Sequence, residues 1–109
     1  MSKYLGTINV TPEGFKGIVG NPQNRQEVNT PLFNSLGFEI EHYWFGVGEN
    51  DIYIVFGATD NDVDVQALVM AVCASGIVNT MRAVRIIDAE EGKRAAEKAS
   101  AILYSPPGS

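Results

Sequence analysis

The amino-acid sequence predicts a single α+β domain built on one antiparallel sheet. Segments rich in β-forming residues alternate with helical segments in the order β, α, β, β, α, β, and a glycine-rich turn joins the two consecutive strands. This order is that of the ferredoxin-like βαββαβ plait, in which the helices cover one face of the sheet. An alanine-rich segment after the fourth strand adds an extra C-terminal helix.

The first strand and the first helical region occupy the N-terminal third of the chain. Tyr4 to Val10 is rich in β-formers. Thr11-Pro12-Glu13 then begins a helix, because Thr is a good N-cap, Pro suits the first helical position and Glu favours the positive end of the helix dipole. A second helical segment, Gln23 to Leu36, follows a short interruption. We expect Pro31 to kink or break this segment and Gly37 to end it.

The stretch GVGEND, from Gly46 to Asp51, predicts the turn of a β-hairpin between strands Phe38 to Phe45 and Asp51 to Ala58. Glycine and asparagine would supply the positive φ angles of this turn. A dinucleotide-binding loop would need a glycine in place of Asp51 and a following helix, whereas a strand follows here. A calcium loop would need more oxygen ligands. The turn sets the strand register, so the sequence leaves open which face carries His42.

A third helix opens at Asp60, the first of three alternating acids, and is capped by Gly76. The acids, which suit the positive end of the helix dipole, are Asp60, Asp62 and Asp64. Their spacing matches the first ligand positions of an EF-hand, but Val65 stands where the turning glycine is needed. We therefore interpret them as helix N-terminal residues. Cys73 lies in the apolar stripe of this helix, which predicts an inert buried thiol.

The last strand and the last helix complete the predicted domain. Thr80 to Ile87 is the fourth strand, and Asp88 to Glu91 resembles a capping box that starts a helix running to Leu103. This helix has a thin alanine face. We expect it to dock on a partner subunit instead of its own core.

Both faces of the predicted sheet carry apolar side chains. In the second strand, strict alternation puts Phe38, Ile40 and Trp44 on one side and Tyr43 and Phe45 on the other. The third strand shows the same two-sided pattern. Because the helices cover one face, the second face would be an exposed apolar patch in a monomer. We therefore expect sheet-to-sheet association in a homodimer or a higher even oligomer.

Length and composition describe one domain, residues 1–103, and a tail, residues 104–109, that we expect to be disordered. A net charge of -5 at pH 7 disfavours binding to nucleic acid and to anionic membranes. The one cysteine, Cys73, cannot form an intrachain disulfide, and the N-terminus lacks the apolar run of a signal peptide. We expect a cytoplasmic protein with no nucleic-acid or membrane partner.

Four side chains are candidates for a binding site: His42, Trp44, Tyr53 and Arg82. His42, the one histidine, could be a general base in a cleft or a partly buried strand residue bonded to a neighbour. Trp44 and Tyr53 could line a small-molecule pocket or belong to the core or an interface. One histidine with scattered acids gives no set of metal ligands, and we expect no cofactor.

Arg82 is predicted to be a charge in mid-strand among apolar neighbours. A charge in such surroundings needs an anionic ligand or a carboxylate partner. Glu39 and Glu41, which alternate on one face of the second strand, are candidate partners in an ion pair.

The turn and cap motifs form an ordered set along the chain. They are Tyr4, Thr11-Pro12-Glu13-Gly14, Arg25, Ser35-Leu36-Gly37, Gly48-Glu49-Asn50-Asp51 and Ser75-Gly76-Ile77-Val78-Asn79-Thr80. This set resembles the GYD domain family. The resemblance implies a small ferredoxin-like domain of the dimeric α/β-barrel type, found mainly in bacteria and archaea, with no established reaction or catalytic residue. The sequence departs from the family pattern at Asn50, where an aromatic residue is usual, and at Pro31, within a usually continuous helix.

Two hypotheses about function follow. The first is a homo-oligomeric structural or small-molecule-binding module, with a small organic ligand held between sheet and helices. The alternative is a cofactor-free enzyme, of the oxygenase or isomerase type, acting on a small organic substrate near His42 and Arg82. His42 would then be the base, and Arg82 or Tyr53 would hold an oxyanion or carboxylate. A pocket that holds His42, Arg82 and an aromatic side chain favours the enzyme, and a dry apolar contact favours the module.

Overall fold

The computed structural model describes residues 1–108 as a four-stranded sheet and four helices. The strands are β1 (Ser2–Val10), β2 (Glu39–Phe45), β3 (Asp51–Ala58) and β4 (Val78–Ile86). The helices are α1 (Pro12–Gly20), α2 (Arg25–Ser35), α3 (Asp62–Ala74) and α4 (Ala89–Ser100). Every predicted strand and helix is present in the predicted order.

The sheet has the strand order β2-β3-β1-β4, and its neighbouring strands are antiparallel. The chain passes from β1 to β2 through α1 and α2, and from β3 to β4 through α3. Each connection therefore crosses one central strand, as in the ferredoxin-like plait. The predicted α+β fold class with an extra C-terminal helix is confirmed. A consequence for the site is that β2 and β4 form opposite edges of the sheet.

One face of the sheet, here named the inner face, packs against α1, α2 and α3. The buried core consists of Ile8, Val10, Phe33, Phe38, Ile52, Ile54, Phe56, Ala58, Leu68 and Met81. Phe56 is fully buried, and its ring stacks on Tyr4 and meets Phe33 edge-on at centroid distances of 5.6 and 5.3 Å. The predicted apolar stripe of α3 packs against this core. Of the helices in residues 1–108, α4 borders the opposite side of the sheet, the open face, at one end, where Glu91 lines a cleft with His42 and Val55.

β2 does not alternate strictly, because its pairing with β3 is irregular between Ile40 and His42. Glu41 is inserted as one extra residue, which is a β-bulge. The bulge shifts the rest of the strand by one position. Ile40 and Tyr43 therefore share the inner face, whereas His42 and Trp44 lie on the open face. The prediction that Ile40 and Trp44 share a face is wrong for this reason.

The predicted hairpin turn between β2 and β3 is confirmed. The Gly46 N–H donates to the Asp51 carbonyl at 2.9 Å, and Gly48 adopts a φ of +77°. Asn50 does not share this conformation, since the positive φ angles of residues 1–108 all occur at glycines. The predicted positive φ at Asn50 is therefore wrong. Its carbonyl instead accepts a hydrogen bond from the Val10 N–H at 2.9 Å, which ties the turn to the end of β1.

Side-chain caps set the starts of the helices. The Thr11 hydroxyl accepts from the Gly14 N–H at 3.1 Å, and Asp88 with Glu91 forms the predicted capping box of α4. α3 is capped by Asn61 and not by Asp60, which lies before the helix and accepts a hydrogen bond from the Ser2 hydroxyl. The prediction that Asp60 opens α3 is therefore wrong by one residue.

α2 runs through Pro31 without a break, contrary to the expected interruption. Pro31 removes the N–H that would bond to the Glu27 carbonyl, but both residues are exposed, so water can satisfy that oxygen. The end of α2 is as predicted. Gly37 adopts a φ of +76°, and its N–H donates to the Asn34 carbonyl at 2.9 Å.

α4 is the least buried element of the described chain. None of its residues is buried, and the chain is elongated, with extents of 57 × 33 × 24 Å. The helix ends at Ser100 and not at the predicted Leu103, and Ile102, Leu103 and Tyr104 are exposed. Residues 104–108 form no helix or strand, and Ser109, the last residue of the predicted tail, lies outside the described residues. Within residues 1–108 no helix combines the length and the apolar character needed to cross a membrane.

Candidate functional site

The four candidate side chains all belong to the open face, in two neighbouring rows across the strands. One row runs from Trp44 through Tyr53 and Thr7 to Arg82. The next row begins at His42 and continues through Val55, Leu5 and Val84. Side chains that are adjacent in such a row have Cβ atoms about 5 Å apart. The sheet register thus brings His42, Trp44, Tyr53 and Arg82 to one surface.

His42 and Trp44 are exposed and stack on each other. Their ring centroids are 4.5 Å apart with an interplanar angle of 18°. Trp44 is 55% exposed, although it is large and apolar. The prediction that His42 is partly buried is wrong, because β2 is an edge strand and the bulge turns His42 to the open face.

The hydroxyl of Tyr53 is hydrogen-bonded to a neighbouring residue in the hairpin. It donates a hydrogen bond to Glu49. This hydrogen bond is the main cause of a raised pKa for Tyr53, since ionisation of the phenol would lose it and place two negative charges together. Tyr53 is therefore a neutral donor already paired with a carboxylate, which is a poor starting point for holding an oxyanion.

Arg82 is exposed on the edge strand β4, so it is not the buried charge that the sequence predicts. The expected ion pair with Glu39 or Glu41 is also wrong, because those residues lie on β2 at the opposite edge. Glu41 instead pairs with Lys3 at 3.2 Å. The guanidinium of Arg82 is therefore hydrated by solvent and requires no buried partner.

His42 and Arg82 do not converge on one point within a single chain. They lie on opposite edge strands with β3 and β1 between them, and in neighbouring rows. Three strand spacings of about 4.8 Å put their backbones about 14 Å apart or more. A general base must reach its proton within hydrogen-bond distance. A small substrate cannot contact both side chains in one chain at that separation.

A separate cavity lies between the inner face and the helices. Its volume is about 190 Å³. Its floor comes from β1 and β3, including Ile8 and Ile54, and its walls come from α1, α2 and α3, including Phe33 and Val72. The lining is apolar except for a few polar side chains. A preformed apolar cavity with few polar groups is the usual form of a small-molecule site.

The polar side chains of this inner cavity include three that come together, Arg25, Asn29 and Tyr43. Arg25 and Asn29 are one turn apart on α2, and Tyr43 faces them from β2. Asn29 Nδ2 donates to the Tyr43 hydroxyl at 3.2 Å. Burial raises the pKa of Tyr43, although the nearby Arg25 charge opposes the rise. The phenol is therefore neutral at physiological pH and can donate a hydrogen bond.

Part of this inner group is visible in the sequence as a helical spacing of two polar residues. Arg25 and Asn29 are spaced by four residues and continue into Leu32 and Phe33, so they share the helix side that faces the core. Two polar residues on a core-facing stripe indicate a polar contact inside the fold. Tyr43 could not be added to them, because its face depends on the bulge at Glu41.

The predicted cap and turn motifs meet at the junction of α1 and β4. The Thr11 hydroxyl donates to the Ile77 carbonyl at 3.0 Å, and the Thr11 N–H donates to the same oxygen at 3.0 Å. Gly14 is buried directly against this segment, where a Cβ would lie 2.4 Å from the Ile77 oxygen. The Thr11 to Gly14 motif and the motif around Ile77 therefore form one structural joint, which closes one end of the inner cavity.

A comparison with models of protein families assigns the chain to a family. The model of the GYD domain matches residues 4–96, which is most of the chain. Neither the curated proteins nor the solved structures gave a match. The match includes β1 from Tyr4 onward, the strands β2 to β4, the helices α1 to α3, the inner cavity and the joint between α1 and β4. The chain therefore belongs to the GYD domain family.

Proposed function

We propose that the protein is a homodimeric small-molecule-binding module of the cytoplasm. In the proposed dimer the open faces of two copies pack together, and the inner cavity of each copy holds the ligand. One observation carries the proposal: one side of the sheet closes a cavity, and the other side exposes the apolar side chains Trp44 and Val84. The cytoplasmic location rests on a single cysteine, which forms no intrachain disulfide.

The apolar and charged side chains of the open face are distributed as in a protein–protein interface. Leu5 and Val55 form its apolar centre on the two inner strands, and Val84 extends it on β4, where it is 47% exposed. Charged side chains lie toward the edges, with Glu41 on β2 and Arg82 on β4. An apolar centre with a polar rim is typical of protein interfaces. A two-fold axis would place this face against its own copy and bury the centre of both.

α4 supplies a second argument for association. Its residues lack a core of their own, and the exposed apolar residues Ile102 and Leu103 follow directly after it. An apolar segment that is exposed to water is stabilised when a second copy covers it. We include in the proposal that α4 and the segment after it pack on the partner copy.

The enzyme hypothesis is not part of the proposal. It requires His42 and Arg82 at one substrate, whereas they occupy opposite edges of the open face. It also requires a cleft that holds both side chains, whereas the cleft that His42 lines does not include Arg82. The inner cavity contains neither of them. The geometry therefore supports binding in the cavity better than acid–base chemistry at His42.

Native mass spectrometry of the freshly purified protein tests assembly and binding together. We expect twice the mass of the chain, with a discrete additional mass that collisional activation removes. A dimer at this step supports the proposed assembly, and a removable adduct supports the use of the cavity. A monomeric mass at micromolar concentration contradicts the proposed assembly.

A further inference from the structure

The volume of the inner cavity limits the size of its ligand. A dry apolar cavity of about 150 Å³ accommodates benzene. The inner cavity, at about 190 Å³, has room for a ring or a branched chain and a small polar group. We expect a ligand of roughly ten non-hydrogen atoms on this scale.

The cavity wall indicates where the polar group of the ligand lies. Most of the wall is aliphatic or aromatic, including Ile8, Ile54 and Phe33. Arg25 is the one residue of the lining that carries a charge. The body of the ligand therefore lies against the sheet and α2, and its polar group points toward Arg25.

Arg25 has N–H donors that the described residues 1–108 do not all use. It donates from Nη1 to Gln23 Oε1 at 3.2 Å, it lies within hydrogen-bonding reach of the Tyr43 hydroxyl, and it is half-buried. The ion pairs within residues 1–108 join Lys3 to Glu41 and Lys16 to Glu13, so no described carboxylate neutralises Arg25. A guanidinium presents five N–H donors in a planar fork that matches a carboxylate with two parallel hydrogen bonds.

Tyr43 provides a second donor beside Arg25. Its oxygen accepts from Asn29 Nδ2, which leaves its own O–H proton to donate elsewhere. Burial keeps this phenol protonated, because it raises the pKa of Tyr43. A guanidinium and a neutral phenol side by side form a donor set for an anion, and the surrounding apolar wall excludes a strongly hydrated one.

We propose that the inner cavity binds a compact apolar monocarboxylate, of the size of an arylacetate, with its carboxylate on Arg25 and Tyr43. This inference rests on the proposed binding function and adds the chemical class of the ligand. Asn29 is a positioning residue in it, because it orients the Tyr43 hydroxyl by donating to it.

The test compares two probes that differ in charge and hardly in shape, phenylacetate and phenylacetamide. Each is titrated into the intact protein, and binding is followed by amide chemical shifts and by calorimetry. We expect phenylacetate to bind at least about tenfold more tightly than the amide, as for a hydrogen-bonded ionic contact. Arg25→Gln is expected to remove this preference, whereas Arg94→Gln, on the exposed α4, leaves it unchanged.

A second variant tests the same inference in case the Arg25→Gln protein does not fold. Tyr43→Phe keeps the ring that lines the cavity and removes the donor, so phenylacetate binding is expected to weaken severalfold at unchanged fold. Equal binding of both probes, or an Arg25→Gln variant with undiminished preference, overturns the carboxylate inference and leaves cavity binding standing. Binding of neither probe, together with a native mass free of any adduct, overturns both.

Discussion

Replacing Val84 by glutamate is expected to convert the dimer into a folded monomer. In a single chain Val84 is 47% exposed on the edge strand β4, so a glutamate there can extend into water. In the dimer the same carboxylate would face the apolar centre of the partner, and the two-fold symmetry makes this occur twice. An unpaired charge buried at an interface costs about 2–5 kcal/mol. We expect the dissociation constant to rise at least about 100-fold, measured by sedimentation equilibrium.

Val63→Glu is the matched control for this substitution. Val63 is 75% exposed in the first turn of α3, on the helix side of the sheet and away from the open face. A glutamate at that position also suits the positive end of the helix dipole. We expect it to leave the dimer intact. A Val84→Glu protein that dimerises as tightly as the Val63→Glu protein would show that the open face is not the interface.

Replacing Gly14 by alanine is expected to destabilise the fold by about 2–3 kcal/mol, as overpacking of a core does. A Cβ at this position would lie 2.4 Å from the Ile77 carbonyl oxygen and 2.6 Å from Val10 Cγ1. The Ile77 carbonyl cannot retreat easily, because two hydrogen bonds from Thr11 hold it. α1 would have to move away from the sheet, which also opens one end of the inner cavity.

Gly17→Ala provides the control with the opposite sign. Gly17 lies in the same helix, and a Cβ there would meet no atom within 4 Å. Alanine is a better helix former than glycine by about 1 kcal/mol, so this change is expected to stabilise the protein. Urea denaturation of both variants measures the difference. Two substitutions of the same sign would contradict the tight joint between α1 and Ile77.

The order of the elements could be predicted because local signals fix it. The Thr11 cap, the left-handed Gly37 and the capping box at Asp88 each act within one turn of the chain, so their effect is visible in the sequence. The continuity of α2 could not be predicted in the same way. Whether Pro31 breaks the helix depends on which side of the helix faces water, and that is decided by packing.

The bulge at Glu41 could not be predicted from the sequence alone. Strict alternation separates Tyr43 from Ile40 and joins Trp44 to it, and only the pairing with β3 shows the inserted residue. The wrong alternation also affects the candidate site, because the face of Tyr43 decides whether it joins Arg25 and Asn29.

The predicted ion pair of Arg82 with Glu39 or Glu41 was wrong for a different reason. The strand order of the plait already places β2 and β4 at opposite edges.

The central claim, that the open face is buried between two copies, can be tested through Trp44. It is the one tryptophan of the chain, and it is 55% exposed on the open face of a single copy. Collisional quenching of its fluorescence by acrylamide can be compared between the native dimer and the Val84→Glu monomer. We predict a clearly lower quenching constant in the dimer, which rises to the monomer value as the protein is diluted through its dissociation constant. Equal quenching constants in a confirmed dimer and in the monomer would show that the two copies meet elsewhere and would contradict the account.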